Sequence, residues 1–218
     1  PDGSGLLFAV VRNGTIGEFR RQFDKGGRAD SVFFGPEQIS IHSVTADQQT
    51  GIGVVIEGSA FDIVAVNLEG PSRFDTLLAT RYSEGWPALS PDDRWLAYQS
   101  DESGRMEVYL RAWPTLGSKV QVSQNGGTEP TWSRDGKELF YRSGGGAEPK
   151  MAAATIVGGR VHTRTELFSV SRYEFSTPHR NYDVFPDGRS FVMVRQGTPG
   201  QQAEVVYLQN LPGLMQQR

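Results

Sequence analysis

Apolar residues in this chain come in short runs that stop at polar turns, and the runs recur in a fixed order. The clearest copy reads Trp86-Pro87-Ala88-Leu89-Ser90, then Pro91-Asp92-Asp93, then Arg94-Trp95-Leu96-Ala97-Tyr98-Gln99-Ser100. Two apolar segments of strand length around a polar turn predict a β-hairpin. Proline presets φ, Asp accepts hydrogen bonds from nearby backbone N–H groups, and the Gly or Asp that follows tolerates the left-handed conformation that reverses the chain. The run Trp95-Leu96-Ala97-Tyr98 is almost unbroken, the pattern of a strand covered on both faces.

The turn recurs as Pro1-Asp2-Gly3, a degenerate Ala46-Asp47-Gln48, Pro91-Asp92-Asp93, Arg134-Asp135-Gly136 and Pro186-Asp187-Gly188, with Asp-to-Asp steps of 45, 45, 43 and 52. That is the period of four-stranded propeller blades. A third strand is predicted to start near Glu18, Asp62, Glu107, Lys150 and Glu204, and outer strands at Ser31 to Phe34, Phe74 to Ala79, Lys119 to Ser123 and Thr165 to Val170. Read alone, Met151-Ala152-Ala153-Ala154-Thr155-Ile156 suggests helix. Its place in the repeat, between Gly144-Gly145-Gly146 and Gly158-Gly159, predicts a strand instead, because local propensity is a weak prior.

The expected fold is all-β, a β-propeller of four-stranded antiparallel blades over residues 1–218, with approximate blades 1–39, 40–80, 81–125, 126–178 and 179–218. The first unit begins inside its turn without an innermost strand, and the last has no outer strand after Leu208. The reading is therefore a fragment, about five blades of a ring of roughly six to eight, with sequence missing on the N-terminal side. Exposed sheet edges would leave it unstable in isolation.

Composition narrows the function classes. A net charge of −3 and pI of about 5.7, without a Lys/Arg run, argue against a nucleic-acid partner. The longest apolar run, Leu6 to Val11, is far short of the roughly 20 residues that span a bilayer, so no membrane insertion by this segment is expected. No signal-peptide pattern is visible. The absence of Cys removes disulfides, Cys-ligated zinc and thiol nucleophiles, and suits an oxidising envelope compartment.

With its Ser-Pro-Asp-Asp and Trp-Ser-Arg-Asp-Gly-Lys turns followed by Leu-Ala-Tyr-like strands, the chain resembles TolB-like bacterial propellers over nearly its whole length. The stretch from Trp86 to Tyr141, through Gln121-Val122-Ser123-Gln124-Asn125-Gly126-Gly127-Thr128-Glu129-Pro130, is particularly similar to the C-terminal propeller of bacterial membrane-anchored serine/threonine protein kinases. The resemblance implies a periplasmic or extracytoplasmic sensing or interaction module. The kinase signatures themselves are absent: there is no phosphate-binding Gly-rich loop, no His-Arg-Asp loop and no Asp-Phe-Gly.

Catalytic candidates are few. No Gly-x-Ser-x-Gly elbow occurs, and Gly3-Ser4-Gly5 and Gly58-Ser59-Ala60 read as turns. His42, His162 and His179 lack metal-ligand spacing, and Asp92-Asp93, Asp101-Glu102 and Asp183/Asp187 match no calcium loop. Trp86, Trp95, Trp113 and Trp132 read as core, with Trp86 and Trp132 at nearly equivalent repeat positions. Asn13-Gly14-Thr15 reads as a hairpin turn. The expectation is thus a non-enzymatic chain without cofactor or metal, whose partner is a protein or a small polar ligand. If it has a binding site, the loops leading into the innermost strands are the place for it, with Arg81, Tyr82, Glu84, Thr128, Glu129, His179, Arg180 and Tyr182; ordinary solvated loop residues are the plainer reading. Two other functions stay open: the substrate gate of a prolyl-oligopeptidase-type peptidase, and a carbohydrate-active propeller that assembles carboxylates from different blades.

Overall fold

The computed structural model describes residues 5–12, 15–23, 29–58, 60–70, 73–144, 148–175, 180–195, 197 and 204–208. Among these, eighteen strands form and no helix is long and apolar enough to cross a membrane. The turn at Pro1-Asp2-Gly3, the dipeptide Asn13-Gly14 and His179 lie outside the described residues.

Two compact units divide the chain, residues 1–89 and 90–218. The first holds β1 (Gly5–Arg12), β2 (Thr15–Gln22) and β3 (Ala29–Phe34) in one sheet, and β4 (Gln38–Val44), β5 (Thr50–Glu57), β6 (Ala60–Asn67) and β7 (Phe74–Leu78) in another. It ends with β8 (Glu84–Leu89), which heads a sheet of order β8-β9-β10-β11; the division falls in the turn between β8 and β9. The second unit holds β9 (Trp95–Ser100), β10 (Glu107–Ala112) and β11 (Lys119–Gln121), then the sheet β12 (Gly127–Trp132), β13 (Glu138–Ser143), β14 (Lys150–Val157) and β15 (Arg160–Ser169). Its last sheet is β16 (Tyr182–Val184), β17 (Phe191–Arg195) and β18 (Glu204–Leu208). Each sheet is a meander in sequence order, so the chain is all-β with five propeller blades.

The repeated Asp turn is a side-chain brace. Ser133 Oγ donates to Asp135 Oδ1 at 2.8 Å and accepts from Glu138 N at 2.9 Å, while Lys137 N donates to Asp135 at 3.1 Å. Ser90, Asp92 and Trp95 repeat this in the preceding blade, and Thr45, Asp47 and Thr50 repeat it in the degenerate copy. There Gln48 takes φ +60° where Gly136 and Gly188 take +69° and +64°. In the last blade Phe185 replaces the leading hydroxyl, and Ser190 donates to Asp187 from the far side of the turn at 2.8 Å. In each of the four described copies these hydrogen bonds hold the Asp carboxyl below its usual range: Ser90, Ser133 and Thr45 lead for Asp92, Asp135 and Asp47, and Arg189 N–H for Asp187.

The alanine-rich segment is strand β14, and its neighbours explain why. Leu139, Phe140 and Tyr141 of β13 pair with Ala154, Ala153 and Ala152, so large side chains stand beside small ones and the layer fills without overpacking. One core cluster joins Phe140, Met151, Ala153, Val170, Tyr182, Phe191 and Met193, with Phe191 edge-on to Phe140 at 5.1 Å. In the first unit Val32, Phe33, Ile39, Val55, Val64, Val66 and Leu68 form another. Between blades of the second unit, a Cβ on Gly159 (φ +74°) would lie 2.0 Å from the Trp95 ring, so only glycine fits there. Nearby, Arg164 Nε of β15 donates to Val122 O at 2.6 Å.

Candidate functional site

Four residues before each brace lies a position whose occupant differs from blade to blade: Ile41, Trp86, Glu129 and Asn181. Trp86 and Glu129 both precede proline and both take positive φ, +49° and +53°. A non-glycine residue held there costs about 1 kcal/mol or more, and such strain persists only where neighbours enforce it. Trp86 and Trp132 therefore do not share a repeat position, since Trp132 stands where Leu89 does; the structural counterpart of Trp86 is Glu129.

At Trp86 the neighbours are apolar and aromatic. Its ring packs against Phe61 at 5.3 Å and His42 at 6.2 Å. At Glu129, which is fully buried, they are polar. Glu129 N donates to Gln99 Oε1 at 3.0 Å, and Tyr182 OH donates to Glu129 O at 2.6 Å. The carboxylate accepts from Asn181 N at 3.2 Å and meets Arg142 Nε at 2.5 Å, an ion pair without the alignment of a hydrogen bond. Burial pushes the Glu129 carboxyl up, while the Arg142 charge, the Asn181 N–H and the Arg180 charge pull it down. Arg142, 5% exposed, also donates from Nη2 to Glu174 O at 2.6 Å, and its guanidinium lies 5.8 Å from the Tyr182 ring. Arg180 Nη1 donates to Thr131 Oγ1 at 2.5 Å.

This network backs a cleft of about 760 Å³ within residues 90–218. Arg105 and Met106 before β10, Asn125 and Gly126 before β12, Gly127 and Thr128 at its start, Gly144 and Pro149 between β13 and β14, and Val170, Ser171, Tyr173 and Phe175 after β15 line it, with Arg142. The acid at the start of β10 supports one of these loops. Buried Glu107 accepts from Gly126 N at 2.9 Å and from the Ser123 hydroxyl, and pairs with Arg105 Nε at 2.7 Å. Its counterpart in the first unit, buried Glu18, accepts from Ile41 N at 3.2 Å, and desolvation pushes its carboxyl from the ordinary 4.5 to about 7.

Of the residues expected at a binding site, Thr128 lines the cleft, whereas Glu129, Arg180 and Tyr182 stand behind it in the network. Tyr182 is buried, and desolvation pushes its phenol up. Arg81, Tyr82 and Glu84 belong to the first unit. Arg81 donates to Tyr82 OH at 2.6 Å and lies over its ring at 4.9 Å, while buried Glu84 accepts from Thr80 Oγ1 at 2.5 Å. Arg105, Arg142, Tyr173 and Phe175 were not anticipated. For Arg142 the signal is a charge directly after the apolar run Leu139-Phe140-Tyr141, at the repeat position that Gln99 takes in the blade before. Among the described residues no group of three His, Asp or Glu could hold a metal ion.

No family model matches the chain, and no curated protein matches it in sequence. Its structure is similar to that of TolB from Acinetobacter baumannii, with TM-score 0.74 and 14% identity over 96% of this chain and 50% of that one. A chain of a nidogen/laminin complex aligns at TM-score 0.66 and 16% identity, over 96% of this chain and 79% of that one. A puromycin-hydrolyzing peptidase from Mycobacterium tuberculosis aligns at 0.62 and 15%, over 94% of this chain and 36% of that one. The chain thus spans half the length of that TolB, and at these identities the shared property is the β-propeller fold.

Proposed function

We propose that this chain is a non-catalytic interaction module whose cleft in residues 90–218 engages a segment of a partner protein. One observation carries the reading: the cleft is built around a buried arginine fixed by Glu129 and Glu174 O, yet its described lining includes no Asp, Glu, His or Cys that could serve as acid, base or nucleophile. A rigid cation among apolar walls suits recognition. The fold shared with TolB and with a chain of a nidogen/laminin complex supports a protein-binding role, although the fold by itself confers none. The peptidase likeness keeps substrate gating as the second reading.

For its cellular place, the resemblance to receptor-kinase and TolB-like propellers, with the absence of Cys, supports an extracytoplasmic module of a bacterial receptor serine/threonine kinase or a TolB-like envelope protein. Two experiments test the proposal. A photo-crosslinking residue at Ser171, on the cleft, should capture a discrete protein from envelope extracts, while the same probe at Val157 should not; equal yields from both positions would defeat the cleft assignment. Reading the gene upstream of Pro1 tests the setting. A kinase domain and an apolar segment of roughly 20 residues supports the receptor, a secretory signal without a kinase supports the envelope protein, and an adjoining hydrolase domain supports the gate.

A further inference from the structure

Resting on that binding reading, the walls of the cleft define the ligand more closely. We infer that it accepts an acidic side chain from an extended peptide segment, with the carboxylate meeting the Arg142 guanidinium and a neighbouring apolar side chain resting on Tyr173 and Phe175. Depth follows from exposure: Arg142 is 5% exposed and lies at the floor, whereas Phe175, 51% exposed, stands at the rim with Arg105. Two of the three Arg142 nitrogens are held by Glu129 and Glu174 O, so the side chain is ordered before a ligand arrives and little rotamer entropy remains to be lost.

Charge placement sets the sign of the ligand. The two cations line the cleft, while their counter-ions, Glu107 and Glu129, are fully buried and are not part of the described lining. The charged side chains of the described lining are therefore positive, and Met106 and Val170 reduce the screening around them. A dianion such as phosphate would be under-compensated, because one floor guanidinium already shares its charge with Glu129. A chain terminus would have to carry its polar backbone down against Met106 and Val170, whereas a side chain delivers the carboxylate on methylene groups.

Fluorescence anisotropy with the full chain tests this, using N-acetylated, C-amidated hexapeptides with a central Phe-Glu-Phe, Phe-Gln-Phe, Phe-Lys-Phe or Ala-Glu-Ala. A further peptide has a free terminal carboxylate and no acidic side chain. The Phe-Glu-Phe peptide should bind, and the Gln and Ala-flanked peptides should bind about tenfold more weakly. Phe175→Ala and Ser171→Glu, both at exposed positions, should weaken Phe-Glu-Phe binding by about fivefold or more with melting unchanged. Equal binding of the Glu and Gln or Lys peptides, preference for the terminal carboxylate, or indifference to both variants would overturn the inference. If no peptide binds while the Ser171 crosslink still captures a protein, the ligand assignment falls and the interaction role stands; if neither occurs, both fall.

Discussion

Trp86 and Glu129 occupy one repeat position, share a strained positive φ and a following proline, and are both buried, yet one nucleates an aromatic cluster and the other an ion-pair network. The backbone asks only for a residue held in place; its chemistry is set by what the position seven residues past the turn Asp provides. That position holds Val54, Gln99, Arg142 and Val194 in successive blades. Only around Glu129 do two polar members of this series converge, Gln99 on its N–H and Arg142 on its carboxylate, and only there does a cleft with a charged floor form among the described residues of its unit. A repeat can thus keep its frame constant while one pair of substitutions turns a packing site into a recognition site.

Breaking the polar version should have the larger effect. Glu129→Leu leaves Arg142 buried without its carboxylate and should cost about 4 kcal/mol in denaturant unfolding, whereas adding Arg142→Met should recover most of that. A double variant as unstable as the single one would mean that the ion pair is not what Glu129 supplies. Trp86→Ala should cost about 3 kcal/mol through the cavity it leaves, independent of salt, since no charge is involved.

A milder comparison sets Glu18, which accepts from Ile41 N, against Glu107, the third-strand acid that pairs with Arg105. The folded Glu18 carboxyl sits near 7, above the ordinary 4.5, so burial favours its protonated form. Its contribution to stability is complete below about 4.5 and fades as pH rises through 7. Glu18→Gln keeps an acceptor for Ile41 N and should therefore gain about 2 kcal/mol over the parent at pH 8, with little gain at pH 4. An unchanged difference between the two pH values would refute the shifted carboxyl. Smallest is the brace: Ser133→Ala should cost about 1 kcal/mol and raise the Asp135 titration midpoint seen by NMR, because the Ser133 hydroxyl is the main influence holding it low.

The blades were legible in the sequence because their punctuation is local. An Asp, a hydroxyl two residues before it and a backbone N–H three residues after it close the turn within six residues, and this works even at Ala46-Asp47-Gln48, where neither proline nor glycine helps. Strand β14 was legible only from its place in the repeat, against its local composition; the structure supplies the physical reason, its alanines pairing with Leu139, Phe140 and Tyr141. The cleft was largely hidden. Thr128 and Glu129 were reachable as residues leading into an inner strand, although the structure places both inside β12, but Arg142 reads as an ordinary strand residue until β12 and β13 are paired, and Tyr173 and Phe175 follow β15 with no repeat counterpart to flag them. The Trp86 and Trp132 equivalence failed because tryptophans were matched by identity rather than by distance from the turn.

The hydrogen bond from Arg164 to Val122 O has a mechanical meaning. The outermost strand of a blade has a partner on one side only, and three-residue β11 could be peeled from β10 with little work. Strand β15 pairs with β14 at eight positions and is also tethered by Arg164 to the blade before it, so a pull along the chain here meets shear resistance from two sheets at once. Under load, the blade carrying the cleft would be expected to yield after its neighbour, and the arrangement of Glu129 and Arg142 would outlast the loss of the strand beside it.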